Sequence, residues 1–320
     1  GHWVAVWRST EDLNGETGTD SDILFARSTL GYLYSDPLPL NGYAASDTWA
    51  DRDLTLTVDT STGLFLAAWY GFNPLAKDIG GEADIVAAAS TDGGKSWCPT
   101  FPVNSNAASD SEADTQPALA TDHAGHILAA WKSASDYLDA GTDDDFFFSH
   151  TYYPFIPFND TQAVNPFADS DATREDQPDV LADGVNKVMV VWSGDDTGDG
   201  DDDIMSAISS SNGETWSPFY VNDAYNDSGD DNAPVLATDG AGTWLCAWES
   251  DDDLDGSAGT DLDIHYSTYT SGGGSWNPTQ VFDMADGEDA APDEMPDAAY
   301  GGGRWLVVWS TENNQFGLRS

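Results

Sequence analysis

A short apolar run ending in tryptophan recurs six times along the chain, at residues 3–7, 64–69, 127–131, 188–192, 244–248 and 305–309. The closing tryptophans, Trp7, Trp69, Trp131, Trp192, Trp248 and Trp309, stand 62, 62, 61, 56 and 61 residues apart. A period of this length means one supersecondary unit copied along the chain, each copy needing its neighbours to cover its apolar face. The same elements recur around each run. A strand opening on proline (117–122, 178–183, 234–239) leads through a glycine-containing turn into the Trp-ending strand. An acidic loop then leads to a third strand at 22–28, 84–90, 203–209 and 263–267. A Gly/Ser turn, a tryptophan and a fourth strand ending in Val-Asn (Val103-Asn104, Val164-Asn165, Val221-Asn222) complete the unit.

No segment carries a 3.6-residue period, so the chain is expected to be all-β. Repeated four-stranded antiparallel sheets are the signature of a β-propeller, whose radial closure leaves few open sheet edges. The expectation is one propeller domain over residues 1–320 with six blades, five being the alternative count. The terminal blades are incomplete, the first lacking its first strand and the last its fourth.

The turn between third and fourth strands carries a resemblance. Ser90-Thr-Asp92-Gly-Gly94-Lys-Ser-Trp97 is similar to the Asp-box, S-x-D-x-G-x-x-W, of sialidase-like (BNR-repeat) propellers. Degenerate copies follow at 209–216, with Ser211 in place of the aspartate, and at 269–276. The resemblance implies six blades, a structural role for the box and a ligand face at the opposite end. It also implies, for an active sialidase, three arginines gripping the substrate carboxylate, a tyrosine nucleophile activated by a glutamate, and an aspartate acid/base. The six arginines here are Arg8, Arg27, Arg52, Arg174, Arg304 and Arg319, and none stands in the family's Arg-Ile-Pro context. No catalytic residue is therefore assigned.

Charge narrows the function classes. Ten basic and 57 acidic side chains give a net charge of −47, which excludes nucleic acid and anionic membrane surfaces as partners. Aromatic residues at 12% and apolar residues at 40% are enough for a packed core, so the chain is no disordered acidic tail. There is no run of 18 apolar residues and no basic-then-apolar leader, so no membrane insertion is expected and the chain reads as a soluble or processed product. Cys98 and Cys246 are expected as small core residues.

In five repeats an acidic pair two residues apart precedes the third strand: Asp20/Asp22, Glu82/Asp84, Asp143/Asp145, Asp201/Asp203 and Asp261/Asp263. Residues i and i+2 of an extended segment share a side, roughly 6.5 Å apart at Cα, so two carboxylates can converge on one cation. Calcium takes six to eight oxygens, and a third acid, five residues after the strand-ending tryptophan, recurs at Asp12, Asp136 and Asp253. These acids, with Ca2+, form one reading. A solvated acidic face of the kind that keeps proteins soluble in concentrated salt is the other.

His123 and His126 lack a third zinc ligand in the sequence. The aromatic group Phe146, Phe147, Phe148, Tyr152, Tyr153, Phe155 and Phe158 reads as packing between blades, with a sugar platform as the alternative. The functional expectation is a non-catalytic, calcium-stabilised propeller, extracellular or on a cell surface. It would bind or adhere to a glycan or cell-surface component. The alternative is a glycoside hydrolase of the same fold.

Overall fold

A computed structural model describes residues 1–13, 15–46, 48–71, 82–109, 111–141, 143–154, 158–159, 161–164, 175–195, 198, 200–223, 228–254, 261–282 and 292–311. They fall into two compact units, Gly1–Ala163 and Val164–Ser320.

The first unit holds three antiparallel sheets. Sheet one is β1 (Trp3–Ser9), β2 (Asp22–Ser28) and β3 (Leu38–Pro39); sheet two is β4 (Arg52–Asp59), β5 (Leu64–Gly71), β6 (Asp84–Ser90) and β7 (Phe101–Pro102). Sheet three is β8 (Asp114–Thr121), β9 (His126–Ser133), β10 (Asp145–Tyr152) and β11 (Gln162–Ala163). In the second unit, sheet four is β12 (Glu175–Ala182), β13 (Val188–Gly194), β14 (Asp203–Ser209) and β15 (Ser217–Tyr220). Sheet five is β16 (Asp231–Thr238), β17 (Thr243–Ser250), β18 (Asp263–Thr270) and β19 (Gln280–Val281), and the last sheet pairs β20 (Asp293–Gly301) with β21 (Arg304–Thr311). Among the described residues the one helical element is a 3-10 turn, Tyr137–Asp139.

Each sheet is a meander in chain order, and the Trp-ending runs lie on β1, β5, β9, β13, β17 and β21. Four of the six closing tryptophans are sealed: Trp69, Trp192 and Trp248 are 0% exposed and Trp131 is 1%. Trp69 and Trp248 belong to clusters that join neighbouring sheets. Ile23, Phe25 and Leu40 of the first sheet pack with Trp69, Val86 and Ala88 of the second. Met189, Val191 and Ile204 of the fourth pack with Trp244, Cys246 and Trp248 of the fifth. Leu245, Ala247 and Ile264 of the fifth take Trp305, Val307 and Trp309 of the last.

The first strands begin three residues earlier than the prolines that marked them in the sequence. β8 starts at Asp114, β12 at Glu175 and β16 at Asp231, and each changes register before it reaches Ala118, Asp179 and Val235 respectively. At every such bulge one non-glycine residue takes positive φ: Asp53 (46°), Gln116 (52°), Gln177 (55°), Ala233 (50°) and Met295 (54°). The bulge hides the strand from a reading by alternation, because two residues of one strand face a single residue of its partner. Proline follows the positive-φ residue in four cases, where a missing N–H costs the ladder nothing.

One side-chain expectation is corrected. Cys246 is buried, but Cys98 is exposed, because it lies in the loop past Trp97 and meets only the edge of the sheet, its amide donating to Ala89 O at 2.9 Å and its Sγ accepting from the Ala89 amide at 3.2 Å. His126 does not meet His123, which is exposed at a positive-φ turn; its Nε2 instead lies 2.8 Å from Nδ1 of the buried His150. Phe146, Phe147 and Phe148 are buried as packing residues, whereas Tyr152 and Tyr153 reach the surface. Phe155, Asn165, Arg174 and Arg319 lie outside the described residues.

Candidate metal centre

The acidic pairs sit at one end of each sheet, and the local backbone explains why the second acid of a pair is inside. Asp22, Asp84 and Asp203 are 0% exposed and Asp145 is 1%. Each is the first residue of its third strand, which lies between the long second strand and the short fourth strand. The fourth strand continues one residue past its ladder: the amides of Leu40, Val103 and Val221 donate to Ile23 O, Ile85 O and Ile204 O, each at 2.8 Å. That bond delivers the next residue, an asparagine, to the acid. Asn41 Nδ2 donates to Asp22 Oδ1 (3.2 Å), Asn104 Nδ2 to Asp84 Oδ1 (3.0 Å) and Asn222 Nδ2 to Asp203 Oδ1 (2.9 Å).

A further acid arrives from the next sheet. The amides of Asp51, Asp114, Asp231 and Asp293 donate to the carbonyls of Ser21, Ala83, Asp202 and Leu262, at 2.7, 2.8, 2.7 and 2.8 Å. In four repeats, then, the residue opening a first strand is bonded to the peptide immediately before the preceding sheet's third strand. Asn41 Nδ2 also donates to Asp51 Oδ2 at 2.7 Å, and Asn222 Nδ2 to Asp231 Oδ2 at 2.6 Å, so one amide holds two carboxylates from consecutive sheets. The space for Asp51 comes from Gly71, where a Cβ would collide with Asp51 Oδ1.

Asparagine satisfies only part of this charge. Both carboxylate oxygens of Asp20, Asp22 Oδ2, Ser21 Oγ and Asn41 Oδ1 are buried with no hydrogen-bond partner. The same holds for Asp143 Oδ2, Asp261 Oδ2 and Asn104 Oδ1, whereas Asn222 Oδ1 accepts from the amide of Ile204 at 3.2 Å. Burial pushes the Asp22 carboxyl up to about 6; the Asn41 bond opposes this and the Asp20 carboxylate adds to it. Among the described residues no three His, Cys, Asp or Glu side chains already stand at ligating distances, so any cation would have to draw these acids inward.

The third acids lie elsewhere. Asp12 and Asp136 are exposed and serve loop amides, Asp12 Oδ1 accepting from Gly15 N at 2.7 Å and Asp136 Oδ1 from Gly141 N at 3.2 Å. Asp253 is exposed as well. Of the predicted acids, the structure brings Asp20 and Asp22 together and leaves Asp12 out in its loop. Asp51, Asn41 and their equivalents are not assigned as ligands from the sequence, although the recurring Val-Asn (Leu-Asn at 40–41) and the aspartates at 51, 114, 231 and 293 are visible there.

At the other end of the sheets, Asp92 accepts from the amides of Lys95 (2.9 Å) and Ser96 (3.0 Å) and from the hydroxyls of Ser96 (2.7 Å) and Ser90 (2.9 Å). The Ser96 bonds hold its carboxyl well below the usual range. Ser211 repeats the turn with a hydroxyl, accepting from Thr215 N at 3.0 Å. This is a closed structural turn, with Trp97 packed edge-on to Phe25 at 5.7 Å.

No protein-family model matches the chain, and no curated protein matches it by sequence. Solved structures do resemble it. The Hadza microbial sialidase Hz136 covers 97% of this chain at 13% identity with a TM-score of 0.53, and the chain spans 61% of that protein's length. A PL25 ulvan lyase covers 97% at 12% identity with a TM-score of 0.59, over 73% of its own length. A Dyadobacter fermentans protein of unknown function covers 97% at 16% identity with a TM-score of 0.56. At these identities the likeness is one of fold: the sheets are those of a sialidase-like β-propeller.

Proposed function

We propose that this chain is a secreted or surface-displayed propeller module that binds carbohydrate without turning it over, its acidic sheet ends held by calcium. The observation that carries the non-catalytic part is repetition. Asp22, Asp84 and Asp203 are each held by an asparagine amide in the same way in three sheets. A catalytic carboxylate pair is made once in a fold, whereas an arrangement repeated in three sheets serves the sheets. The unpartnered oxygens of Asp20 and Asp22 support calcium, a hard cation that takes oxygen donors in flexible geometry. The fold likeness to a sialidase and an ulvan lyase supports carbohydrate as the ligand class, by analogy. The expected result on an array of neutral and acidic glycans is retention of neutral glycans without product. No retention of any glycan would remove the carbohydrate reading.

One observation favours the alternative, a glycoside hydrolase. In the second unit burial raises the Asp179 carboxyl to about 6, against amide bonds from Leu236 and Val180 and with Asp297 nearby. Burial also raises Glu249, beside Glu294. A buried carboxyl raised above its ordinary range, with a second acid beside it, is a feature that glycosidase sites share. Turnover of any fluorogenic glycoside that is abolished by Asp179→Asn or Glu249→Gln would establish the enzyme and end the binding-module reading.

A further inference from the structure

We infer that within each unit a divalent cation, calcium by its donor set, is clasped between consecutive sheets, and that the acid leading into the second of the two sheets (Asp51, Asp114, Asp231 or Asp293) is a ligand alongside the acidic pair. In the first unit the site comprises Asp20 and Asp22 from sheet one and Asp51 from sheet two. The inference rests on the calcium part of the proposal above and is independent of the carbohydrate part.

Three observations converge on it. The first is the set of orphaned oxygens: Asp22 is 0% exposed with Oδ2 unpartnered, both Asp20 oxygens are buried and unpartnered, and Ser21 Oγ between them is too. Burying ionised oxygens without partners is expensive, and it is resolved by protonation or by a cation. The second is the arrival of Asp51. Its amide is fixed on Ser21 O and its Oδ2 on Asn41 Nδ2, the same nitrogen that takes Asp22 Oδ1. One amide thus restrains two carboxylates of like charge side by side, each by a single oxygen, and gives both the same reference point. The third is recurrence. Asp84 with Asp114, Asp203 with Asp231 and Asp263 with Asp293 have the same backbone bond between sheets, each preceded by its own first acid, Glu82, Asp201 or Asp261.

The donors are all oxygen, with no sulfur and no imidazole, which selects a hard cation over zinc or copper. Three carboxylates with room for hydroxyl and water ligands suit calcium's loose coordination better than magnesium's strict octahedron. The cation neutralises repulsion that the asparagine amide can only moderate, and because its ligands belong to two sheets, binding fastens one sheet to the next.

Melting temperatures in calcium and in chelator, at equal high potassium chloride, test this with a calorimetric count of bound calcium. Asp51→Asn removes one negative charge and one ligand. It is expected to raise the melting temperature in chelator, to shrink the calcium-induced rise and to lower the calcium count by one. Asp114→Asn, at the next boundary, repeats the test should the first variant fail to fold. Glu214→Gln, at the opposite end of its sheet, is expected to leave the calcium rise intact. A structural role alone for Asp51 lowers the melting temperature equally in calcium and chelator, and that result overturns the clasp. Wild-type stability that follows ionic strength whatever the cation overturns both the clasp and the calcium reading. A calcium rise that survives Asp51→Asn and Asp114→Asn undiminished overturns the clasp alone.

Discussion

The hydroxyl of Thr121 on sheet three donates to the carboxylate of Asp59 on sheet two at 3.0 Å. The amide of Gly125 donates to the same oxygen at 2.7 Å, and the amides of Ser61 and Thr62 bond the other at 2.9 and 2.8 Å. Asp59 is 1% exposed, and the hydroxyl bond from Ser61 (2.7 Å), together with those from Thr62, Gly125 and Thr121, outweighs its burial and holds its carboxyl far below the usual range. Asp59→Ala strands buried donors on two sheets and is expected to cost roughly 2–4 kcal/mol. Chemical denaturation at pH 7 checks this. Because the native carboxyl is depressed, its contribution is present above about pH 4 and fades as pH falls below that. The wild-type and variant curves should therefore converge in acid.

Trp192 is fully buried on the central strand β13. Trp192→Ala leaves a cavity that the rigid sheets cannot close, at a cost of roughly 3–5 kcal/mol. A lowered urea midpoint is expected, and an unchanged one would contradict the strand's place in the core.

The histidines give a pH dependence of known sign. Burial lowers His126 to about 4, the adjoining His150 adding to the effect and Asp122 opposing it, and burial alone does the same for His265. The unfolded imidazole takes its proton near 6.5, so stability from the neutral ring is full above that value and is lost as pH falls toward 4. At pH 5.5 the loss is about 1 kcal/mol for each ring. His126→Gln should flatten the fall in unfolding free energy between pH 7.5 and 5.5 by about that amount. Equal slopes for the two proteins would place the ring in solvent.

Release of sialic acid from a simple aryl sialoside is expected to be absent. Three convergent arginines are what bind a sialic acid carboxylate, and here Arg8, Arg52 and Arg304 are exposed on separate strands, amid an excess of acid that repels anionic sugars. Detectable release would overturn this.

The strands with strong apolar runs are legible in the chain itself, because burial on both faces of β5, β9, β13 and β17 writes a continuous apolar word ending in tryptophan. The third strand of sheet four, 203–209, matches to the residue. The start of each first strand is not legible, because a positive-φ residue such as Gln116 breaks the two-residue alternation. At the candidate metal centre, Asp20 and Asp22 stand out because neighbours in sequence are neighbours in space. Asp51 is 29 residues beyond Asp22 and comes near through two hydrogen bonds, from its amide to Ser21 O and from Asn41 Nδ2 to its carboxylate, which no local pattern encodes. The partnership of His126 with His150 is hidden for the same reason, since it crosses a hairpin.

The repeated bulge bears on how the chain avoids self-association. β4, β12, β16 and β20 each run along an edge of their sheets, and an edge of regular backbone is a template on which a strand from another molecule can grow. The kink at Asp53, Gln177, Ala233 and Met295 throws the ladder out of register near the start of the strand, and a proline removes a donor beside it in the last three. A half-assembled chain, with its first strands still uncovered, therefore offers passing copies only short stretches of pairable edge. Crowded synthesis of six similar units, the circumstance most apt to splice one copy's sheet onto another's, meets that obstacle at every repeat where the kink stands.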